Sequence, residues 1–463
     1  MKFDLLIRNG TIVLPTTGLT EASVGARDGK VAAILATGEI ADGAEEIDAR
    51  GKIVFSGVID PHMHIGLGQG LPDWETETRS AVMGGVTTGC NFLMHGQSYF
   101  PIVQENLAAA QKSSYIDFAF HLVPSAPEHL EEMPEYRRRF GICSFKYLTS
   151  FRGSEGAYLG VQGTDDGYMY RCLQIVAEMG EGMFCVHPEN IEVVWELRRQ
   201  LQAAGRDDLK AWDDSRPQVV EAEATYSVAL YAQAVACPLY IVHVSGGMVL
   251  EEARRAKEKA SRAPLYIETC PHYLTHTSDD PLGPLGKVNP PLRSRADIDA
   301  LWEGIASGLV DTVGSDHCAR GRERKKGSIW TSSAGFPGTA TVLPVVLSEG
   351  VHRRGLSLSR VAQLTSYNTA RIFGLYPRKG VIAPGSDADF AIVDLDKEQT
   401  VTPALLQSYA DYSLYEGWKL KGWPVATIVR GQVVMRDGAI VGHPGVAQYI
   451  RGESRPLPGK VIY

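Results

Sequence analysis

No stretch of the 463 residues approaches the roughly 20 consecutive apolar residues that a membrane helix requires, so insertion into a membrane is not expected. Behind Met1-Lys2-Phe3-Asp4 there is no apolar secretory segment, and nowhere is there a Cys-x-x-Cys pair. The seven cysteines, an odd number, therefore read as reduced thiols in a cytoplasmic protein, where the Asn9-Gly10-Thr11 sequon carries no message. Positive charge is in deficit, with 46 Lys and Arg against 54 Asp and Glu and a formal charge of −8. That excludes duplex nucleic acid and anionic membrane surfaces as expected partners. No repeat, low-complexity tract or long linker occurs. What is present is a hydrophobic fraction of 44% with 22% charged residues, the composition of a folded chain with a large core.

The patterning has three parts. The first 55 residues read as short strands, with turns expected at Asn9-Gly10 in DLLIRNGTIV and at Asp28-Gly29 in SVGARDGKVAAIL. From about Val58, short β-branched or aromatic runs alternate with longer helical stretches such as EAEATYSVALYAQAVA, the signature of βαβ units. Eight strands are expected, near 58–62, 87–93, 117–123, 142–147, 183–187, 239–243, 265–268 and 311–316. After about Leu375 the β character returns in GVIAPGSDADFAIVD and WPVATIVRGQVVMRDGAIVG. The expected fold is α/β: a (β/α)8 TIM-like barrel over 56–375, beside a small discontinuous β-sandwich domain built from 1–55 and 376–463. The charge run RGRERKK, Arg320 to Lys326, reads either as a solvated loop or as a loop facing substrate.

Groups able to bind metal recur at the C-terminal ends of the expected strands, where barrels of this kind build their sites. His62 and His64 lie two apart in GVIDPHMHIG, which in an extended strand places both rings on one face. Lys146 ends the apolar run of GICSFKY, His187 closes MFCVH, His243 closes LYIVH, and Asp316 stands at the tip of DTVGSDHC. Taken singly each is an ordinary core or loop residue; together, at five of the eight strand ends, they make a metal site. Zinc accepts imidazole nitrogen and carboxylate oxygen, and no cysteine stands among these groups. Two such cations about 3.5–4 Å apart can hold a hydroxide between them for hydrolysis at neutral pH. A deprotonated lysine can then take up carbon dioxide as a bridging carbamate, and an Asp beside the hydroxide can move its proton to a leaving nitrogen.

At these residues the chain resembles the amidohydrolase superfamily, and within it the cyclic amidohydrolases: D-hydantoinase, dihydropyrimidinase, allantoinase and dihydroorotase. The resemblance runs through DLLIRNGTIV, the HxH strand, SFK, His187, His243, KVNPPLRSRADI, SDHC and YNTARIFGLYPRKGVIAPGSDADFAIVD. The tail YEGWKLKGWPVATIVRGQVV with HPGVAQYI is most like the hydantoinase and dihydropyrimidinase branch. The resemblance implies a zinc-dependent opening of a cyclic amide ring by a hydroxide between two metals. His62 and His64 would hold the more buried ion, carbamylated Lys146 would bridge, His187 and His243 would hold the second, and Asp316 would be ligand and general base. It also implies that Asn289 offers backbone groups to the substrate amide, and that the chain forms a homotetramer tied together by its C-terminal tail.

Two positions depart from that pattern. Phe151 stands where hydantoinases place a tyrosine that stabilises the oxyanion, five residues after the bridging lysine, and Arg152 is the expected substitute donor. Ala334, in SAGFPG, stands where an Asn commonly contacts the ring amide. Both changes make the pocket less polar and open the way to an allantoinase-like or other amide substrate. The loop IGLGQGLPDW, 65–74, carries Leu67, Leu71 and Trp74 and reads as a mobile substrate loop or a structural turn; it lacks the spacing of a phosphate-binding loop. His95, His121 and His272 read as packing or supporting residues, and Cys318 as no nucleophile. The different-class alternative is a non-catalytic scaffold, which the complete set of ligands argues against.

Overall fold

The computed structural model describes residues 2–153, 155–157, 160–161 and 163–452. The last eleven residues of the proposed oligomerisation tail, 453–463, lie outside the described residues. The chain begins with β1 (Lys2–Leu14), β2 (Gly18–Arg27), β3 (Lys30–Ala36), β4 (Asp42–Asp48) and β5 (Ile53–Ser56). Asp28-Gly29 makes the expected tight turn between β2 and β3, with φ of 52° and 73°. Asn9-Gly10 does not turn. β1 runs straight through it, and the positive φ of Asn9 is absorbed in a bulge where the register against β2 shifts between Ile7 and Gly10. Glycine is needed there because a Cβ at Gly10 would lie 2.6 Å from the Val54 side chain of β5.

The barrel follows with all eight strands in chain order: β6 (Val58–Met63), β7 (Val86–Met94), β8 (Asp117–Val123), β9 (Ser144–Leu148), β10 (Met183–His187), β11 (Leu239–Ile241), β12 (Leu265–Thr269) and β13 (Thr312–Val313). Neighbours pair in parallel, and their nearly continuous apolar character reflects burial on both faces. A parallel bridge between Met63 and His317 closes the ring, supported by hydrogen bonds from His64 N to His317 O and from His317 N to His62 O. β11 and β13 are short for a local reason: His243 and Asp316 adopt left-handed backbone with φ of 42° and 49°, which leaves the extended conformation at the strand tips.

The chain then returns through β14 (Phe390–Thr400), β15 (Lys419–Val429), β16 (Gln432–Arg436) and β17 (Ala439–Ile440). β5 lies between β1 and β14, so both chain ends form one sheet in the order β17-β16-β15-β14-β5-β1-β2-β3, with β4 also on β1. Its core is separate from the barrel's and includes Leu5, Ile12, Val24, Val54, Phe390 and Ile428. At the seam with the barrel, Asp117 at the start of β8, Asp387 and Asp389 converge closely enough to hold a cation, and Lys379 Nζ sits among them at 2.5, 2.9 and 2.5 Å respectively. A strap of residues 401–418, between β14 and β15, reaches the loops at the C-terminal end of the barrel strands.

Candidate active site

The strand ends bring the expected ligands together. His62 Nε2 is 3.2 Å from His64 Nε2 and 3.2 Å from Asp316 Oδ1, and His64 Nε2 is 3.3 Å from Asp316 Oδ1. Ligand atoms held 2.0–2.1 Å from a tetrahedral cation stand about 3.3 Å from one another, so this triangle has the edges of a zinc-type coordination face. Lys146 Nζ lies 2.7 Å from His62 Nε2. The second pair is formed by His187 Nδ1 and His243 Nε2, 2.9 Å apart, and the His243 ring stacks on that of His62 with centroids 5.4 Å apart. All six side chains are buried or nearly so. The donor set fits a divalent cation at the triangle, with Lys146 beside His62 and the His187–His243 pair adjacent.

Burial pushes the Lys146 ammonium below its ordinary range, with Asp316 and Glu268 only partly opposing the shift. Burial would raise Asp316, but His62, His64 and Lys146 more than offset it and hold the carboxyl below the usual range. Three carboxylates that sequence reading did not single out position these groups. Glu268 Oε1 is 2.7 Å from His62 Nδ1 and accepts from the His243 backbone N–H at 2.9 Å, while Tyr240 donates to its other oxygen. Glu189 Oε2 is 2.7 Å from His187 Nε2 and accepts from Arg216. Asp60 accepts from Ser315 N and Thr339 Oγ1 behind the loop that carries Asp316. Histidines backed by carboxylates in this way present their other nitrogen, in a fixed orientation, to a cation. The only sequence signal was position: Glu268 ends an apolar strand and Glu189 follows His187 by two.

The expected substrate contacts divide. Asn289 precedes Pro290, and its Oδ1 is buried without a hydrogen-bond partner among the described residues, an acceptor left for a ligand. Phe151 packs half-buried beside Leu148, with no hydroxyl to offer. Arg152, the expected substitute donor, has its guanidinium paired with Asp166 and Glu192. Ala334 lies in a loop braced from inside by two buried lysines, Lys287 donating to Ser332 O and Lys325 to Ser333 O. The RGRERKK run is therefore not simply solvated, since Arg320 and Lys325 are buried and Arg320 donates to Leu67 O. The 65–74 loop is held rather than loose: the Asp73 carboxylate accepts from the N–H groups of Gly66, Gly68 and Gln69, the donors a phosphate would have used. Leu71 is exposed and Leu67 half-buried, but Trp74 is fully buried against Phe118 and takes no part in a substrate wall. His121 packs on Phe92 and Phe373, and His272 is buried with its ring 4.9 Å from that of Phe336. All seven cysteines are free.

Residues 241–434 match the amidohydrolase family. The chain is 34% identical over 468 residues to a D-hydantoinase of Ralstonia pickettii, covering 97% of this chain and 98% of that protein. It is 35% identical over 458 residues to an allantoinase of Rubrobacter xylanophilus, covering 96% of each. Among solved structures, the L-hydantoinase (dihydropyrimidinase) from Arthrobacter aurescens superposes with a TM-score of 0.90 at 32% identity, covering 96% of this chain and 99% of that one. With the histidines, lysine and aspartate of its barrel mouth assembled as described, the chain belongs to the amidohydrolase family, among the hydantoinases, dihydropyrimidinases and allantoinases.

Proposed function

We propose that the protein hydrolyses a cyclic amide, opening a hydantoin, dihydropyrimidine, imide or related ureide ring. The observation that carries this reading is the triangle of His62, His64 and Asp316, with edges of 3.2, 3.2 and 3.3 Å, beside Lys146 and the His187–His243 pair. In this reading His62 and His64 would hold one divalent cation and His187 and His243 a second, with Lys146 as a carbamate the ligand shared by both; nitrogen and oxygen donors without thiolate favour zinc. Bound there, such cations would supply Lewis acidity toward the ring carbonyl and would bring the pKa of water to about 7. Asp316 takes the proton released as water attacks and delivers it to the departing ring nitrogen. Glu268 and Glu189 keep His62 and His187 oriented, Asn289 orients the ring amide, and Leu67 and Phe151 exclude water along the wall.

The domain division at 1–55 with 376–463 and 56–375, supported by the strand patterning, a cytoplasmic location, supported by the unpaired cysteines, and a homotetramer, supported by the resemblance to hydantoinases, complete the proposal. A second reading, an allantoinase-like or other amide hydrolase, is favoured by one feature: Phe151 has no hydroxyl and Arg152 is engaged by Asp166 and Glu192. Initial rates on hydantoin, 5-phenylhydantoin, dihydrouracil, allantoin, dihydroorotate, succinimide and glutarimide separate the two. Asp316→Asn should abolish turnover on whichever ring is opened while zinc remains bound; an active variant would refute the role given to Asp316.

A further inference from the structure

Asp316 occupies left-handed backbone, a conformation that β-strand neighbours do not enforce, so something must hold the loop after β13 in place. The next residue, His317, is the anchor. Its backbone pairs with His62 and His64 across the barrel closure, and its Nδ1 accepts from Gly338 N at 3.1 Å and Thr339 N at 3.3 Å. An Nδ1 that accepts leaves the proton on Nε2. That Nε2 makes a close polar contact of 3.0 Å with Oε2 of Glu77, on α1 (Asp73–Met83), though not an aligned hydrogen bond, and both side chains are almost wholly buried. Glu77 in turn receives the strap: Ser408 Oγ donates to Oε2 at 2.6 Å and Tyr409 N to Oε1 at 3.0 Å. Tyr409 also reaches past it, its hydroxyl donating to Ala319 O on the far side of the same loop. One buried carboxylate therefore joins the first barrel helix, the strap from the terminal sheet and the residue beside Asp316.

We propose that Glu77 is a positioning residue for the hydrolysis, acting through His317 to fix the carboxylate of Asp316. This rests on the reading of Asp316 as the proton carrier. Neither Glu77 nor the strap touches the six clustered ligands in the contacts described, so the effect falls on turnover rather than on metal retention or substrate affinity.

The test uses the full-length, zinc-loaded protein and the ring that it turns over fastest. Glu77→Ala should lower kcat about 10-fold or more, the usual cost of losing a partner that orients a metal-site group, with two metals per chain retained. KM should stay within about twofold, because Glu77 touches no substrate and a displaced Asp316 carboxylate costs the proton transfer rather than ground-state binding. Glu77→Gln keeps one acceptor oxygen toward His317 and Ser408 but turns its NH2 toward the Tyr409 N–H, and should recover part of the rate. Ser408→Ala removes a strap bond but leaves the His317 contact, and should keep kcat within about twofold of wild type. His317→Asn, which can still accept from Gly338 but cannot reach Glu77, should lose as much as Glu77→Ala, with no further loss in the double variant. Wild-type kcat in Glu77→Ala would overturn the proposal. So would equal kcat losses in Glu77→Ala and Ser408→Ala that follow their falls in Tm, since that pattern marks simple loss of structure. Asp316→Asn, assayed alongside, separates the two ideas: if it stays active the role of Asp316 is wrong, and if it is dead while Glu77→Ala is fully active only the Glu77 proposal fails.

Discussion

Glu268 lies behind His62 with its Oε1 2.7 Å from His62 Nδ1, and the same oxygen accepts from the backbone of His243 at 2.9 Å. A single carboxylate thus aligns one residue from each histidine pair. Glu268→Ala should cost both pairs at once, lowering kcat/KM by about 10–100-fold and releasing metal more readily. Activity measured together with zinc per chain after dialysis against a weak chelator checks this; full metal retention with wild-type activity would refute it.

Phe151 places a phenyl ring after β9 where the resemblance to hydantoinases implies a phenol. Restoring it tests whether that gap sets the substrate range. Phe151→Tyr should raise turnover of hydantoin and dihydrouracil, bounded by the roughly 10²–10³-fold that one oxyanion donor is worth where an enzyme relies on it. Rates on the ring panel before and after the substitution are the readout. An unchanged or lower rate on both rings would mean that another group already fills the role.

Asp387 makes the seam between barrel and terminal sheet sensitive to acid. Burial would raise its carboxyl, but Lys379, aided by Lys30 and Arg378, outweighs burial and holds it at about 2. An unfolded aspartate titrates near 3.9, so the folded value is depressed and the contribution to stability is complete above about pH 4. It is lost as pH falls from about 4 to about 2. Asp387→Asn should be less stable than wild type at pH 6, and the difference should shrink across that window. Denaturant midpoints at pH 6, 4 and 2.5 measure it; a constant gap would remove Asp387 from the acid response.

The barrel was legible because its signals are local. Alternating runs announced eight strands, and the tips bearing His62, Lys146, His187, His243 and Asp316 could be found by looking where such runs stop. The pairing of both chain ends was legible only as economy, since the contact of Val54 with Ile392 spans most of the sequence. Asn9-Gly10 misled because the same positive φ serves a tight turn or a bulge, and the choice depends on Val54 packing against it. Trp74 was read into a substrate loop because nothing local says that Asp73 ends that loop and turns the indole inward. Glu268, Glu189 and Glu77 were invisible as functional residues for a common reason. A buried carboxylate is defined by its partners, and the partners of Glu268 and Glu77 lie 206 and 331 residues away at His62 and Ser408.

The seat among Asp117, Asp387 and Asp389 is taken by an ammonium that belongs to the chain itself. The molecule therefore carries two cation-binding clusters with opposite supply lines, one filled at synthesis by Lys379 and one that must be loaded from solution. The seam between barrel and terminal sheet thus closes without drawing an ion from solution.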